Sequence, residues 1–291
     1  MHFSLRTALQ SALVAAAGLL ACNAAVAASI PFSVIGPHEY TLPLHFEPYF
    51  EFVQSGEAND NGERFDFGGT GRDAPGSTTL SSSAKLAYLF QIRGLPQAGF
   101  EAEAIVPAIR VTGGPDAATG LGDPVVGLVG WVKPSAHATL GLQDYFQLPL
   151  GSDSVSSHYT ANIFSVLGDV ELGRWNLDGD IGIVLPVTHG TALNGPSQQV
   201  GNEYFANLRG AYLLTAFLEP FLGADWQNTG GALTAATGRG VPDSSGHELA
   251  GVAGIVWILG TDSLAASYHY GLNGRNVTRT NSVLLRWIHV F

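Results

Sequence analysis

Short stretches in which apolar and polar residues alternate recur along most of the chain. Their period of two is typical of β-strands whose two faces meet different environments. In one stretch Leu86 and Tyr88 share a face, while Lys85 and Gln91 share the other. The pattern predicts strands near residues 44–54, 81–93, 99–111, 121–133, 137–149, 157–171, 175–188, 199–215, 217–228, 245–258, 263–273 and 280–291.

The connections between the predicted strands alternate in length. Short turns at 134–136 and 173–174 are interspersed with long polar connections such as 189–198 and 229–244. This alternation is typical of transmembrane β-barrels, whose long loops lie outside the cell and whose tight turns lie in the periplasm. We therefore predict an all-β fold, a transmembrane antiparallel β-barrel of about twelve strands over residues 44–291.

The N-terminus has the features of a secretory signal peptide. Arg6 supplies a positive charge, residues 8–20 are apolar, and the Ala-Val-Ala sequence at 25–27 is a small-residue cleavage site. We expect residues 1–27 to be removed on secretion. The following segment, 28–43, has three prolines and no strand pattern, so we expect a periplasmic segment or a plug.

Composition supports dispersed hydrophobicity and excludes several classes of protein. Charged residues are 13% of the chain, about half of the ~25% usual in soluble domains. No apolar run beyond the leader approaches the roughly 18 residues of a membrane helix. The net charge of −11 argues against nucleic acid as a partner. Cys22 is the one cysteine, so an intrachain disulfide is excluded.

Aromatic residues fall where a barrel meets the bilayer interfaces. By strand position and parity, the tryptophans are predicted to form girdles on the outer surface. The chain ends at Phe291, which resembles the terminal signal that outer-membrane proteins present to the barrel assembly machinery; His289 departs from it. We expect that machinery, outer-membrane lipids and lipopolysaccharide as partners, in the bacterial outer membrane. The girdle residues are Trp131, Trp175, Trp226, Trp257 and Trp287.

One short motif carries a resemblance to a known family. Gly120-Leu121-Gly122-Asp123 opens an apolar strand, after a secretory leader and before a terminal aromatic strand. In this it resembles the phenol-degradation MetA-pathway family of outer-membrane transporters. The resemblance implies a channel that passes small hydrophobic or aromatic compounds. A loop-to-strand turn at Gly122 and Asp123 is the alternative interpretation of the same residues.

Enzymatic motifs are weak in this sequence. Neither a G-x-S-x-G nucleophile elbow nor an H-E-x-x-H zinc pair is present. Ser156 or Ser157 beside His158 could form a hydrolase pair in an outer loop, as in outer-membrane phospholipases. We expect no catalysis, metal or cofactor. Two alternatives to a channel remain: a structural or surface-binding barrel that uses its outer loops, and an outer-membrane lipid hydrolase.

Charged residues on the polar parity of the strands are the candidate lumen lining. Acids outnumber bases among them, which predicts a preference for cations or neutral solutes over anions. Paired charges could instead brace a narrow barrel. The candidates are Glu47, Glu51, Lys85, Arg93, Glu101, Glu103, Asp178, Asp180, Glu203, Arg209, Glu219, Asp225, Glu248 and Arg286.

Processing of the leader separates two hypotheses. Residues 19–22, Leu-Leu-Ala-Cys, resemble a lipoprotein cleavage box that would leave a lipidated Cys22. Leucine at the second position of that box departs from the pattern, so we expect cleavage after Ala27 and a mature chain that starts at Ala28. Intact-mass measurement of the purified protein tests this. An acylated N-terminal Cys22 would contradict it.

Overall fold

Twelve long antiparallel strands form a closed barrel in the computed structural model. The structure describes residues 36–73, 76–113, 117–187, 198–234, 239–241 and 244–291. Each strand pairs with its neighbours in sequence, and the first also pairs with the last. The strands are β1 (Tyr49–Asp60), β2 (Thr78–Phe90), β3 (Ala98–Thr112), β4 (Val125–Ser135), β5 (Ala138–Gln147), β6 (Ala161–Leu172), β7 (Trp175–Pro186), β8 (Glu203–Tyr212), β9 (Leu218–Thr229), β10 (Gly246–Leu259), β11 (Asp262–Arg275) and β12 (Asn281–Val290).

The predicted all-β barrel is confirmed, with differences at strand ends. β1 begins at Tyr49 instead of residue 44 because Pro43 and Pro48 interrupt the preceding segment and cannot donate ladder hydrogen bonds. Several predicted strands shift by two to four residues at one or both ends. Among the described residues, no helix is long and apolar enough to cross a bilayer.

Additional short strands lie at the end of the barrel where the long loops connect the wall strands. Glu63–Phe65 and Gly71–Asp73 form a hairpin, and Val277–Thr278 pairs with its first strand. Ala118–Leu121 extends the pairing of β3, which passes from this short strand to β4. At the opposite end the connections are tight turns, and both β1 and β12 reach it with their free ends. We assign the tight-turn end to the periplasm and the other end to the outside.

The outer surface of the wall is apolar over its whole circumference. Leu128 on β4, Ile181 on β7, Leu222 on β9 and Leu285 on β12 are all more than half exposed. A soluble protein rarely leaves such a continuous apolar surface open to water, whereas a barrel places it against lipid. Trp175, Trp226, Trp257 and Trp287 are exposed on this surface as predicted.

Trp131 does not join the girdle. It is 2% exposed and faces the barrel interior. The prediction was wrong because β4 is apolar on both faces: Val125 and Val129 point inward, while Val126 and Val132 point outward. A strand with two apolar faces carries no parity signal in its sequence.

Candidate functional site

The predicted lumen residues occupy two different environments. Glu47 lies before β1 and Arg93 lies in the turn after β2; both are exposed and neither belongs to the barrel wall, because the strands are shorter there than predicted. The rest occupy inward-facing positions of the strands and are buried or half-buried: Glu51, Lys85, Glu101, Glu103, Asp178, Asp180, Glu203, Arg209, Glu219, Asp225, Glu248 and Arg286.

Residues 36–48, here called the lumen segment, cross the barrel interior near its periplasmic end. On one side the segment is held by acids of the wall. The His38 and Tyr40 amides both donate to the Asp178 carboxylate, the second at 3.0 Å. The Tyr40 hydroxyl donates to Asp180 Oδ2 at 3.0 Å, and His38 Nε2 lies 2.8 Å from Glu219 Oε1.

Glu39 of the lumen segment reaches the opposite side of the wall. Its carboxylate forms ion pairs with Arg286 on β12 and with Lys85 on β2, whose Nζ lies 3.4 Å from Glu39 Oε1. Lys85 also lies 3.4 Å from Glu103 Oε1. The acidic partners of Lys85 and Arg286 therefore lie partly on the lumen segment and partly on the barrel wall.

A third contact joins the lumen segment to β4. The Trp131 indole N–H donates to the Pro43 carbonyl at 2.8 Å, and Lys133 Nζ donates to the Leu42 carbonyl at 3.0 Å. Phe46 stacks on the Trp131 ring with their centroids 6.1 Å apart. This inward tryptophan thus anchors the segment, a role that its sequence position did not reveal.

A second polar network braces β8, β9 and β11. Arg209 is fully buried and binds the Asp225 carboxylate through two hydrogen bonds of 2.7 and 3.1 Å. His269 Nδ1 lies 3.2 Å from Asp225 Oδ2, and its Nε2 lies 2.9 Å from Ser267 Oγ. Sequence reasoning missed Ser267 and His269, although both lie on the inward parity of β11.

Ser267, His269 and Asp225 are connected in series by hydrogen bonds, as the members of a catalytic triad are. The arrangement lacks two features of a working triad, a free carboxylate and an oxyanion hole. The Asp225 carboxylate is already neutralised by Arg209, so it offers little charge to a protonated His269. β11 is hydrogen-bonded to β10 and β12 on its two edges, which engages the backbone amides that an oxyanion hole would need. The arrangement supports bracing of the wall rather than acyl transfer.

The motif Gly120-Leu121-Gly122-Asp123 holds an outer loop against the barrel. The Asp123 carboxylate accepts hydrogen bonds from the Gly151 amide at 3.0 Å, the Ser156 hydroxyl at 2.6 Å, and the Ser157 amide and hydroxyl at 2.7 and 2.5 Å. Burial raises the pKa of the neighbouring Tyr159, and the carboxylates of Glu203 and Asp123 raise it further. The loop after β5 is therefore folded onto the motif.

The two glycines of the motif make this close approach possible. A Cβ at Gly120 would lie 2.5 Å from Cβ of Ser152, and one at Gly122 would lie 2.9 Å from Cγ of Pro107. A larger residue at either position would push the loop or β3 away. The motif is thus a structural junction between the loop after β5 and the barrel wall.

The proposed hydrolase pair in this loop is not assembled. Both Ser156 and Ser157 donate to Asp123, and the His158 ring lies against the Asp153 carbonyl at 3.2 Å. No hydrogen bond between the side chains of these serines and the His158 ring is present in the described loop. Likewise, no group of three or more metal-ligating side chains forms a metal site among the described residues.

The barrel interior also contains a large apolar surface. It extends along the inner faces of β2 to β8, from Leu89 near the periplasmic end to Val184 near the outer end. The cluster comprises Tyr40, Leu42, Ala87, Leu89, Ile105, Val125, Val129, Trp131, Tyr145, Tyr159, Ala161, Ile163, Leu167, Val184 and Phe205. The inward positions of these strands therefore include apolar as well as charged residues, and the buried inward positions of β4 are all apolar.

Comparisons with known proteins agree with this architecture. The family model described as "Putative MetA-pathway of phenol degradation" matches residues 62–287. The crystal structure of an outer membrane channel from Pseudomonas putida F1 matches with a TM-score of 0.75 and 15% identity, covering 88% of this chain and 100% of that chain. The closed barrel and this likeness place the protein in the bacterial outer membrane, as predicted.

More distant barrels match less well. The β domain of the Bordetella autotransporter BrkA has a TM-score of 0.49 and 14% identity, covering 84% of this chain and 100% of that chain. The translocator domain of NalP from Neisseria meningitidis has a TM-score of 0.47 and 13% identity, covering 96% and 97%. No curated protein sequence matches the chain.

The Asp123 junction predicts a local stability effect. Asp123→Asn keeps one acceptor oxygen but removes the charge that strengthens four hydrogen bonds to the loop. We expect unfolding in urea to require about 2 kcal/mol less free energy, and protease cleavage within 148–158 to become faster. Asp153→Asn, an exposed position in the same loop, is the control and should change neither. Equal behaviour of the two variants would contradict the assigned role.

The ion pairs of Glu39 predict an effect on conductance. Glu39→Gln leaves Lys85 and Arg286 without their shared partner, which costs roughly 3 kcal/mol or more for buried pairs and should displace the lumen segment. Ion conductance in planar bilayers should rise. Glu47→Gln, an exposed glutamate of the same segment, should leave it unchanged. An unaltered conductance in Glu39→Gln would show that these pairs do not hold the segment in place.

Proposed function

The chain belongs to the MetA-pathway family of phenol degradation, and from this membership and the barrel interior we propose that it is a channel for small hydrophobic or aromatic compounds. The fold of an outer-membrane channel is the starting point. The proposal adds the class of solute.

The apolar cluster on the inner faces of β2 to β8 is the observation that carries the proposal. Barrels that pass water-soluble compounds have polar interiors. Here Val125, Val129, Ile163 and Val184 point inward and are each at most 2% exposed, because other inward side chains pack on them. An apolar solute that passes between these packed side chains stays out of water, whereas a hydrated ion or sugar would lose its hydration without compensation.

The lumen segment supports the same conclusion. It is anchored to β7 and β9 on one side and to β2 and β12 on the other, so it obstructs a straight aqueous route through the periplasmic end. Twelve strands already leave a narrow bore. A selective route for few solutes fits this interior better than an open pore does.

Isosteric substitutions on one strand test the proposal. In Val125→Thr/Val129→Thr, two inward methyl groups become hydroxyls without a change in volume. In Val126→Thr/Val132→Thr the same change is made on the outward face of β4. We expect the inward pair to slow the uptake of naphthalene into proteoliposomes by roughly three- to ten-fold, and the outward pair to have little effect.

Three results would argue against this function. Equal slowing by both pairs would mean that the changes act through barrel stability. Uptake of naphthalene no faster than in protein-free liposomes would favour the alternative, a barrel that binds partners through its outer loops. Release of fatty acid from phospholipid that Ser267→Ala or Ser156→Ala/Ser157→Ala abolishes would favour the hydrolase alternative.

A further inference from the structure

Glu203 has a buried carboxyl group for which the described residues supply no counter-charge. It is the first residue of β8, faces the interior, and is 3% exposed. Its Oε1 atom has no hydrogen-bond partner, and none of the ion pairs among the described residues includes it. The connection between β7 and β8 contains neither Lys nor Arg.

Apolar side chains flank Glu203 on the β7 side, and Thr229 on β9 is its register partner on the other side. Val184 on β7 is its register partner, and Phe205 is the next inward residue of β8. Both belong to the apolar inner cluster, together with Tyr159, which lies within electrostatic range of the Glu203 carboxylate. A carboxyl group that has no counter-charge among the described residues therefore lies at the edge of an apolar wall.

Its height in the barrel places this carboxylate on the outer side of the lumen segment. The segment binds Asp178 and Asp180 on β7, whereas Glu203 pairs with Val184, four to six residues nearer the outer end. At about 3.4 Å per residue the separation along the wall is roughly 14–20 Å. A solute that enters from outside would meet Glu203 before it meets the segment.

Glu248 shows that burial of a glutamate in this barrel does not by itself leave it unpartnered. It is 2% exposed, faces inward, and lies near the outer end of β10. The Thr280 amide donates to its Oε1 and the Thr280 hydroxyl to its Oε2, both at 2.7 Å. The same residue type at similar height is thus satisfied in one place and open in the other.

An unpaired buried carboxylate is costly, and a bound cation would offset the cost. A divalent metal prefers several oxygen ligands, which the described residues do not gather. An ammonium group needs one carboxylate, and a hydrocarbon or aromatic body attached to it would match Val184 and Phe205. We propose that Glu203 binds the ammonium group of apolar amines in the outer half of the lumen, an inference that rests on the proposed function and narrows its substrates.

Two probes that differ only in charge test this inference. Octylammonium and 1-octanol share one tail, and at neutral pH only the first carries a positive charge. Their binding to the full protein in nanodiscs is measured by calorimetry, with empty nanodiscs subtracted. We expect octylammonium to bind tighter than octanol by roughly ten-fold or more, since even one pair across a buried site is worth at least about 1.4 kcal/mol.

Substitutions then assign the preference to one residue. Glu203→Gln keeps the shape and removes the charge, so it should abolish the preference for octylammonium and leave octanol binding unchanged. Glu203→Asp should retain part of the preference. Glu248→Gln is the matched control and should retain all of it. Heat-modifiable migration in electrophoresis establishes that each variant is a folded barrel.

The outcomes separate this inference from the proposed function. Equal binding of the two probes to the unmodified protein, or a preference that survives in Glu203→Gln, would overturn the amine site and leave the channel for apolar solutes intact. Absence of binding by either probe, together with no uptake of naphthalene, would overturn both.

Discussion

Backbone hydrogen bonding in a medium without water is the constraint on which this structure depends. Every amide and carbonyl in the bilayer core must be paired within the protein, and a closed sheet is the one arrangement of strands that leaves no open edge. Here β1 pairs with β12 from Glu51 opposite Val290 to Asn59 opposite Ser282, which closes the ring. The tight periplasmic turns and the alternation of side chains between lipid and lumen both follow from that closure.

Closure also creates an interior that the protein must fill. In a narrow barrel, inward side chains from opposite walls lie near one another, so charges cannot be left to a wide aqueous bore. The lumen segment fills part of this interior and partners its charged groups. Glu39 forms ion pairs with Lys85 and Arg286, while His38 and Tyr40 form hydrogen bonds with acidic residues of β7 and β9. An apolar cluster covers part of the inner faces of β2 to β8, and Glu203 lies at its edge with one carboxylate oxygen, Oε1, that has no hydrogen-bond partner.

The polar part of the interior bears on ion selectivity, and the apolar part bears on the passage of apolar solutes. Bound acids contribute less to ion selectivity than free ones, because their fields are cancelled by the bases that they contact. The predicted preference for cations, drawn from counts of acids and bases, therefore stays a prediction and depends on the few carboxylates that remain unpaired. The apolar cluster acts by excluding water, which no counter-charge cancels. It extends along most of the length of the wall, so an apolar solute would meet it over that length.

The sequence by itself determined the number of strands, their order, the alternation of loops and the outward parity of most strands. These are local properties: a period of two, turn residues and loop lengths can be read without knowledge of the partners. Only the tertiary structure decided the path of residues 36–48, the inward position of Trp131, the Asp123 junction and the isolation of Glu203. Each of these depends on which distant residues meet across the barrel, and β4 with two apolar faces shows how parity fails when both sides look alike.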